Sequence, residues 1–256
     1  MNRDGSHRGS LSPRAPGEEL VFFSTPPHEC SYLEDVQAVT LFADPRVRLD
    51  RRRYSELSRA GFRRSGNHVY RPTCPSCSAC VPVRIPVDRF EPNRQQRRTA
   101  RRNEDLEVTI AEPRFELEHF NLYERYLKRR HRGGGMDVTS PEQYVSFLCS
   151  TWCDSVFVEF RHEQRLVAVA VTDVLDDGYS AVYTFFEPSE VKRSLGRFAI
   201  LTQIELARRD ARPHLYLGYW IGACSKMDYK TEYRPLEGLQ QGRWTTLSSG
   251  EALNKS

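Results

Sequence analysis

Three apolar runs in the second half of the chain predict adjacent β-strands. VFVEF (156–160) and LVAVAVTDVL (166–175) are separated by the polar turn RHEQR, and DDG (176–178) leads into YSAVYTFF (179–186). Short apolar runs bounded by polar turn residues are typical of strands joined as hairpins. The pattern therefore predicts an antiparallel meander of three strands.

Helical spacing of apolar residues is found on both sides of this meander. FELEHFNLYERYLKRRH (115–131) predicts one helix, and SPEQYVSFLCSTWC opens another with Ser140 as N-cap and Pro141 at its first position. After the meander, RFAILTQIELARRD predicts a helix and LYLGYW (215–220) a strand. The order of meander, loop, helix and strand fits an α+β acyltransferase-like domain, in which an extended ligand meets the helix N-terminus.

The first third of the chain contains shorter elements. YSELSRAGF (54–62) predicts a helical turn that ends at Gly61, and VPVRIPV (81–87) predicts an edge strand because prolines interrupt it. We expect an α+β fold with an N-terminal, cysteine-containing α+β domain and a C-terminal domain with a mostly antiparallel sheet. The expected divisions are a flexible tail at 1–19, an N-terminal domain at 20–105, a C-terminal domain at 106–245 and a flexible tail at 246–256.

The net charge of +4 conceals a concentrated basic segment. Residues 46–102 contain sixteen Arg, no Lys and four acids, a balance of +12. Arg pairs with phosphate in a bidentate geometry, so the segment indicates a polyanionic partner such as a nucleic acid, although a solvated charged surface has the same composition. The candidate phosphate-binding residues are Arg97, Arg98, Arg101 and Arg102.

The chain lacks the signals of a membrane or secreted protein. No run approaches roughly 18 consecutive apolar residues, and the first 19 residues have no apolar core of a signal peptide. We therefore expect a cytoplasmic protein with no membrane partner. In that compartment its seven cysteines stay reduced and serve in metal binding, redox sensing or core packing.

Three cysteines have the CxxCxxC spacing of a metal or cluster site. Cys74, Cys77 and Cys80 lie in the polar, turn-prone stretch TCPSCSAC, and Cys30 is the candidate fourth ligand, with His28 a weaker one. Core packing remains an alternative for all of them. For the other three cysteines, Cys149, Cys153 and Cys224, core packing is the preferred interpretation.

Two glycine-containing stretches are candidate ligand-binding segments. RGGGMD, with Gly133, Gly134 and Gly135, lacks the Lys-Ser/Thr of a phosphate-binding P-loop, so it is either a connection between helices or backbone that approaches a ligand closely. RSLG precedes the helix that follows the meander. Ser194 is a suitable N-cap there, and the backbone amides near Gly196 would face a phosphate or a terminal adenosine, unless this is an ordinary capped helix.

The segment GYWIGACSKMDYKTEYRPLE (218–237) follows the last predicted strand and combines aromatic and cationic residues. It supplies the candidate substrate-binding residues Tyr219, Trp220, Lys226, Tyr229 and Lys230, with Arg84 as the competing cation. A solvated helix face is the alternative. Since the sequence contains no nucleophile–base motif and no dinucleotide fingerprint, we assign no catalytic residue, and catalysis would depend on positioning and hydrogen bonding.

Several segments, in order, resemble one family. HEC and SYL near residue 30, LFADP, GFRRSG, YRPTCPSCSACVPVRIPV, RRTARRN, HRGGGM, FFEPSEVKRSLGRFAILTQIELAR and LYLGYWIGACSKMDYK are similar to the bacterial aspartate/glutamate leucyltransferases, which are related to eukaryotic arginyltransferases. These are aminoacyl-tRNA–protein transferases of the N-degron (N-end rule) pathway. The resemblance covers nearly all of residues 20–245 and implies a C-terminal domain of the acetyltransferase-like (GNAT-like) type.

The resemblance implies transfer of leucine from leucyl-tRNA to the α-amine of proteins that begin with Asp or Glu, which marks them for degradation. No cofactor is required for such a transfer. The eukaryotic relatives are associated with an Fe–S cluster, so an Fe–S or Zn site at the N-terminal cysteines is an expectation, although Ala79 and Cys80 stand where those relatives have two adjacent cysteines.

Two other functions remain open from the residues. An arginyltransferase of the same family would carry acids in its donor pocket that pair with a guanidinium. A non-enzymatic, cysteine-containing RNA-binding protein would account for residues 70–103 but not for the aromatic C-terminal half.

Overall fold

The structure is a computed structural model that describes residues 20–47, 49–130 and 139–248. Its strands are β1 Phe22–Ser24, β2 His28–Glu29, β3 Gln37–Ala38, β4 Thr40–Ala43, β5 Arg63–Ser65, β6 His68–Pro72, β7 Val81–Pro86, β8 Glu107–Ala111, β9 Ser155–His162, β10 Arg165–Leu175, β11 Gly178–Phe186, β12 His214–Trp220, β13 Glu237–Gln240 and β14 Arg243–Thr246. Its helices are α1 Arg51–Arg59, α2 Arg94–Arg102, α3 Leu117–Arg130, α4 Pro141–Leu148 and α5 Leu195–Arg209, with 3₁₀ helices at Val191–Arg193 and Ser225–Glu232. None of these helices is long and apolar enough to cross a membrane.

An eight-stranded sheet forms the centre of the fold, in the order β14-β13-β7-β12-β11-β10-β9-β8. Every neighbouring pair in it is antiparallel except β11–β12, which is parallel. A four-stranded sheet, β1-β4-β6-β5, and the β2–β3 pair come from the N-terminal residues. The predicted α+β class with a mostly antiparallel C-terminal sheet is confirmed.

The predicted meander and its helices are also confirmed. β9 and β10 form a hairpin whose turn residues Glu163 and Gln164 have positive φ, and β11 pairs with β10. α4 begins after Ser140, whose hydroxyl accepts a hydrogen bond from the Gln143 amide, and Pro141 occupies its first position. α5 then returns the chain to β12, which gives the acetyltransferase-like order of meander, helix and parallel strand.

The prediction that VPVRIPV is an edge strand is wrong. β7 lies inside the large sheet, between β12 and β13. Its prolines are tolerated because β13 pairs with β7 only at Val83 and Arg84. Pro82 and Pro86, which lack an N–H, therefore face no ladder partner on that side.

The placement of β7 bears on the expected domain division. β7 comes from residues 20–105, yet it pairs with strands of the segment 106–245. The division at residue 105 remains a prediction about independent folding, and a cut there would divide the large sheet. At the other end, Thr246 belongs to β14, and Leu247 is buried and bonds through its amide to Leu236.

The two faces of the large sheet are covered by different helices, as alternation along β10 shows. Ala168 and Ala170 pack in the core with α5, whereas Val169 and Val171 pack in the core with α3 and α4. Successive side chains of a strand point to opposite faces, so a continuous apolar run is what a strand buried on both faces requires.

A buried ion pair joins the four-stranded sheet to the large sheet. Arg64 of β5 donates to both carboxylate oxygens of Asp173 in β10, at 2.8 and 2.7 Å, and both side chains are inaccessible to water. Tyr54 of α1 and Ser155 of β9 donate to the same carboxylate at 2.9 and 2.6 Å. The Asp173 carboxylate therefore links β5, α1 and β9 to β10.

Asp173→Ala is expected to destabilise the fold by about 3–5 kcal/mol, because it leaves the Arg64 guanidinium buried without its counter-charge. Urea denaturation of the purified chain measures this loss. Asp176→Ala is the matched control. It breaks an exposed pair with Arg51 and should cost less than about 1 kcal/mol. Equal effects of the two substitutions would show that the buried pair does not hold the sheets together.

Candidate functional site

The parallel strands β11 and β12 part from each other after a short pairing. They pair only at Gly178–His214, Tyr179–Leu215 and Ser180–Tyr216. Both strands then continue, to Phe186 and Trp220, without pairing with each other. Strands that diverge leave backbone groups that need other partners. This divergence creates a wedge-shaped opening in the sheet, which we call the splay.

Arg63 of β5 fills the base of the splay. Its Nη1 donates to the Leu217 carbonyl of β12 at 3.1 Å. Its Nη2 donates to the carbonyls of Ala181 and Val182 in β11, at 3.2 and 2.6 Å. One guanidinium thereby bridges the two strands where their own ladder stops.

Gly218 makes room for this guanidinium. Its φ of +75° is in the region that favours glycine, and the register of β12 against β7 shifts beside it. A Cβ at this position would lie 1.5 Å from Nη1 of Arg63. Glycine is therefore required both by the backbone conformation and by the packed side chain.

The consecutive residues Arg63 and Arg64 have opposite surroundings, because successive side chains in a strand alternate faces. Arg64 is buried against Asp173. Arg63 is half-buried, and its partners among the described residues are backbone carbonyls rather than carboxylates. Neither residue was predicted as a site residue, because the adjacent pair in GFRRSG gives no indication of partners that are distant in sequence.

Lys230 lies close to Arg63. Its side chain is 5% exposed, and Nζ donates to the Tyr219 carbonyl. Burial, with a further contribution from the positive charge of Arg63, lowers the pKa of Lys230 to about 7. The predicted cation is therefore a buried amine that titrates near neutral pH.

The candidate residues Lys226 and Lys230 do not lie on one face of a helix. Ser225–Glu232 is a 3₁₀ helix, in which residues three apart eclipse, and the pair is separated by four. Lys226 is exposed and Lys230 is buried. Only Lys230 lies next to the splay.

The other proposed acceptor residues have structural partners. The Tyr219 hydroxyl donates to the carbonyls of Gly61 and Tyr70, and Trp220 belongs to the core beneath α5. Arg84 is paired with Glu237 at 2.9 Å and stacks 4.3 Å over the Trp244 ring. The charge of Arg84 is thus already compensated within the sheet.

Aromatic residues line the wall beyond the splay. The Tyr126 and Phe186 ring centroids are 4.9 Å apart, and Tyr183 lies edge-on to Tyr126. Tyr229 stands opposite and is 44% exposed. Desolvation raises the pKa of its phenol, against the lowering effect of Arg63 and Arg130. This wall is apolar apart from its phenols.

Ser194 does not cap α5 in the predicted way. It occupies the N-cap position in the left-handed conformation, with φ 54° and ψ 48°, and its side chain makes no capping hydrogen bond. Gly196, in the first turn, has space on its outer side, since a Cβ there would first meet Phe186 at 3.4 Å. The beginning of α5 therefore borders the aromatic wall without a side chain in between.

The arginine-rich segment forms α2. Its inner residues bond to both 3₁₀ helices, Val191–Arg193 and Ser225–Glu232. Gln96 donates to the Glu232 carbonyl at 3.1 Å, and Asn103 donates to the Arg193 carbonyl at 2.9 Å. The outer face of α2 carries the four predicted phosphate-binding residues, all exposed, Arg97, Arg98, Arg101 and Arg102.

The four candidate metal-binding cysteines are neighbours but do not converge. Burial and the nearby thiols of Cys30, Cys74 and Cys77 raise the pKa of Cys80 to about 12. Within residues 20–47, 49–130 and 139–248, no three metal-binding side chains are placed to hold an ion. We therefore assign no step of the reaction to a metal or cluster, and a site at these cysteines stays a prediction. Gly133, Gly134 and Gly135 lie outside the described residues.

The chain thus combines an α+β fold, whose mostly antiparallel sheet opens at the splay, with an exposed basic surface on α2. Comparison with known proteins gives the family. The model for the arginine-tRNA-protein transferase C terminus matches residues 118–240, and the model for its N terminus matches residues 28–98. The chain belongs to this family of arginine-tRNA-protein transferases.

Curated relatives match almost end to end. The aspartate/glutamate leucyltransferase of Pseudomonas syringae pv. syringae is 56% identical over 89% of this chain and 97% of its own length. The Marinobacter nauticus protein of that name is 52% identical over 90% and 97%. Among solved structures, L-PGS from Bacillus licheniformis aligns with 78% of this chain and 68% of that chain at 12% identity, with a TM-score of 0.44.

The depressed pKa of Lys230 predicts a pH-dependent contribution to stability. Between about pH 7 and 10.5 the unfolded chain holds the Lys230 proton more tightly than the folded chain. The free energy of unfolding of the wild type, relative to Lys230→Met, should therefore rise with pH across that range. Urea denaturation at pH 7, 8 and 9 measures the difference.

Lys226→Met is the control for this series, because Lys226 is exposed on the same 3₁₀ helix. Its stability should run parallel to that of the wild type at all three pH values. A Lys230→Met curve that is also parallel would mean that Lys230 has an ordinary pKa.

Proposed function

We propose that the chain transfers leucine from leucyl-tRNA to the α-amine of proteins that begin with Asp or Glu. The observation that carries the proposal is the near-complete match to aspartate/glutamate leucyltransferases at 52–56% identity. The splay and the aromatic wall supply a cleft in which an ester and an amine can meet. The product of this reaction would be a protein with an added N-terminal leucine, which marks it for degradation. The reaction would take place in the cytoplasm, where aminoacyl-tRNA is present.

Leucine, rather than arginine, is supported by the charges around the cleft. An arginyl donor would need a free acid for its guanidinium. Two acids near the cleft are already paired with arginines of this chain. Glu187 bonds to Arg125 at 3.0 Å, and Glu232 bonds to Arg197 at 2.6 Å. The wall formed by Tyr126, Tyr183 and Phe186 suits an aliphatic side chain.

The reaction requires alignment more than activation. The aminoacyl ester is already reactive, and an α-amine with a pKa of about 7.7–8.0 is partly neutral near pH 7. The amine nitrogen attacks the ester carbonyl, an amide bond forms, and the ribose oxygen leaves with a proton. We assign stabilisation of the oxyanion to backbone N–H groups of the diverging strands, and the exclusion of water to the aromatic wall.

The tRNA would approach over α2 and the beginning of α5. α2 is fixed to both flanks of the cleft by Gln96 and Asn103, so its exposed arginines have a set position beside the opening. The Ser194 side chain does not use the first amides of α5, which suits a phosphate near the 3′ end of the donor. Gly196 would let the terminal nucleotide lie close to Phe186.

The acceptor would lie on the opposite flank, at the 3₁₀ helix Ser225–Glu232. Of the cations that the sequence suggests, Lys230 has the position required, because Arg84 is paired with Glu237 and Lys226 points to solvent. Tyr229 would contact the peptide. An Fe–S or Zn site at the cysteines stays a separate prediction, and the transfer itself needs none.

Leucyl transfer is tested with purified chain, labelled leucyl-tRNA or arginyl-tRNA, and peptides that differ only in their first residue. We expect label to pass from leucyl-tRNA to peptides beginning with Asp or Glu. Matched peptides beginning with Asn, or with an acetylated Asp, should stay at background. Transfer of arginine at a comparable rate would contradict the donor assignment, and tRNA binding with no transfer would favour a non-enzymatic RNA-binding protein.

The position of α2 predicts a salt-dependent role. Changing the four exposed arginines to alanine should weaken leucyl-tRNA binding and flatten the plot of log K against log salt, by about 0.7–0.9 for each phosphate that is no longer neutralised. Filter binding between about 50 and 200 mM salt gives both quantities. Arg114→Ala with Arg209→Ala removes exposed charge outside α2 and serves as control. If the slope of log K against log salt is unchanged in the α2 variant, the arginines of α2 form a solvated surface and do not bind tRNA phosphates.

A further inference from the structure

Arg63 has hydrogen-bonding capacity that its own chain does not use. A guanidinium carries five N–H donors, and those of Arg63 make three hydrogen bonds within the described part of the chain, all to backbone carbonyls of strands. The side chain is half-buried where the strands part. The remaining N–H groups are therefore held in a fixed orientation at the splay.

We propose that Arg63, with Lys230 beside it, binds the side-chain carboxylate of the acceptor's N-terminal Asp or Glu. This inference rests on the proposed leucyl transfer and names the residue that selects its acceptor. In this proposal the splay binds both the donor ester and the side-chain carboxylate of the acceptor.

Arg63 and Lys230 place two positive charges side by side. Arg64, the neighbour of Arg63 in β5, is paired with Asp173, and Arg84 is paired with Glu237, whereas Arg63 has only carbonyl partners among the described residues, as Arg71 and Arg234 also have. Arg63 and Lys230 are two neighbouring cations whose hydrogen bonds to described residues go to carbonyls only. Removing two neighbouring positive charges from water, as for the half-buried Arg63 and the buried Lys230, costs free energy unless an anion binds beside them. An acceptor carboxylate completes the set.

The surrounding groups favour a carboxylate. Tyr32 and Tyr229 both lie close enough to Arg63 for its charge to act on the pKa values of their phenols. Phenolic O–H groups donate to carboxylates, and the two residues are 49% and 44% exposed, so a ligand can reach them. The site therefore combines charge, additional donors and access from solvent.

The distance between the amine and the carboxylate of the acceptor also favours Arg63. In an N-terminal Asp or Glu only a few covalent bonds separate the attacking amine from the carboxylate. The cation that holds the carboxylate must therefore lie next to the ester carbonyl. Arg63 spans β11 and β12 at the point where they diverge, whereas Arg84 is enclosed by Glu237 and Trp244.

A tRNA phosphate is the competing anion, and it fits less well. The exposed arginines of α2 already present a surface for phosphates. Arg63 is half-buried and fixed by three carbonyls, so a ligand that reaches its remaining N–H groups must be small, as a side-chain carboxylate is and a phosphodiester with a ribose on each side is not.

The test measures carboxylate recognition apart from chemistry. N-acetyl-Asp-Ala and N-acetyl-Asn-Ala amides cannot accept leucine, so each is used as a competitor of an Asp-initiated peptide in the transfer assay. For the wild type, the Asp compound should inhibit at least tenfold more strongly than the Asn compound. In Arg63→Lys, which keeps a charge but loses the fork of donors, this ratio should fall to about one.

The same variant should raise KM for the Asp peptide at least tenfold, with a smaller change in kcat and with leucyl-tRNA binding unchanged. Lys230→Met should lower the inhibition ratio in the same direction and keeps the inference testable if Arg63→Lys fails to fold. Lys226→Met is the matched control and should retain the wild-type ratio. Thermal unfolding of each variant reports on the fold separately.

Three outcomes would overturn the inference. If Arg63→Lys weakens inhibition by the Asp and Asn compounds by the same factor, so that their ratio keeps its wild-type value, Arg63 only holds the strands together. A raised KM for leucyl-tRNA with an unchanged inhibition ratio would assign Arg63 to a phosphate. Wild-type ratios in both Arg63→Lys and Lys230→Met would place the carboxylate elsewhere. If the wild type transfers no leucine at all, the proposed function itself fails, which is a distinguishable result.

Discussion

The divergence of β11 and β12 is the constraint on which the rest of the site depends. Parallel strands that pair at only three positions expose backbone groups within the sheet, and something must bond to them. In this chain a guanidinium from another sheet does so, at the carbonyls of Leu217, Ala181 and Val182. The opening is thereby held apart and carries a positive charge at its base, which suits an enzyme that joins an ester to an acidic acceptor.

The N-terminal residues are part of this site rather than an appendage to it. Arg64 and Asp173 fix β5 against β10, and the adjacent Arg63 is consequently held at the splay. α2, also from the first half of the chain, bonds to Glu232 and Arg193 on the two flanks of the cleft. The buried ion pair fixes the two sheets against each other, and in the proposed reaction the neighbouring arginine and the basic helix bind the acceptor and the tRNA.

Local patterns predicted the elements well, because they depend on neighbours in sequence. The meander, α3 and the capped α4 follow from apolar spacing and from Ser140 and Pro141. The positions of the site residues were harder to predict from the sequence, because they depend on contacts between distant segments. The central position of β7 depends on a register with β13 that skips its prolines, and the separation of Lys226 from Lys230 depends on a 3₁₀ rather than an α-helical turn. Arg63 could not be selected, since its partners are more than 100 residues away in sequence.

The most direct measurement is a crystal structure of the chain with an Asp-initiated dipeptide and a non-reactive, amide-linked leucyl-adenosine. The account predicts that the dipeptide's side-chain carboxylate contacts Arg63, with its amine facing the leucyl carbonyl in the splay. It also predicts the leucyl side chain against Tyr126 and Phe186. A carboxylate bound away from Arg63, or a leucyl carbonyl outside the opening between β11 and β12, would contradict it.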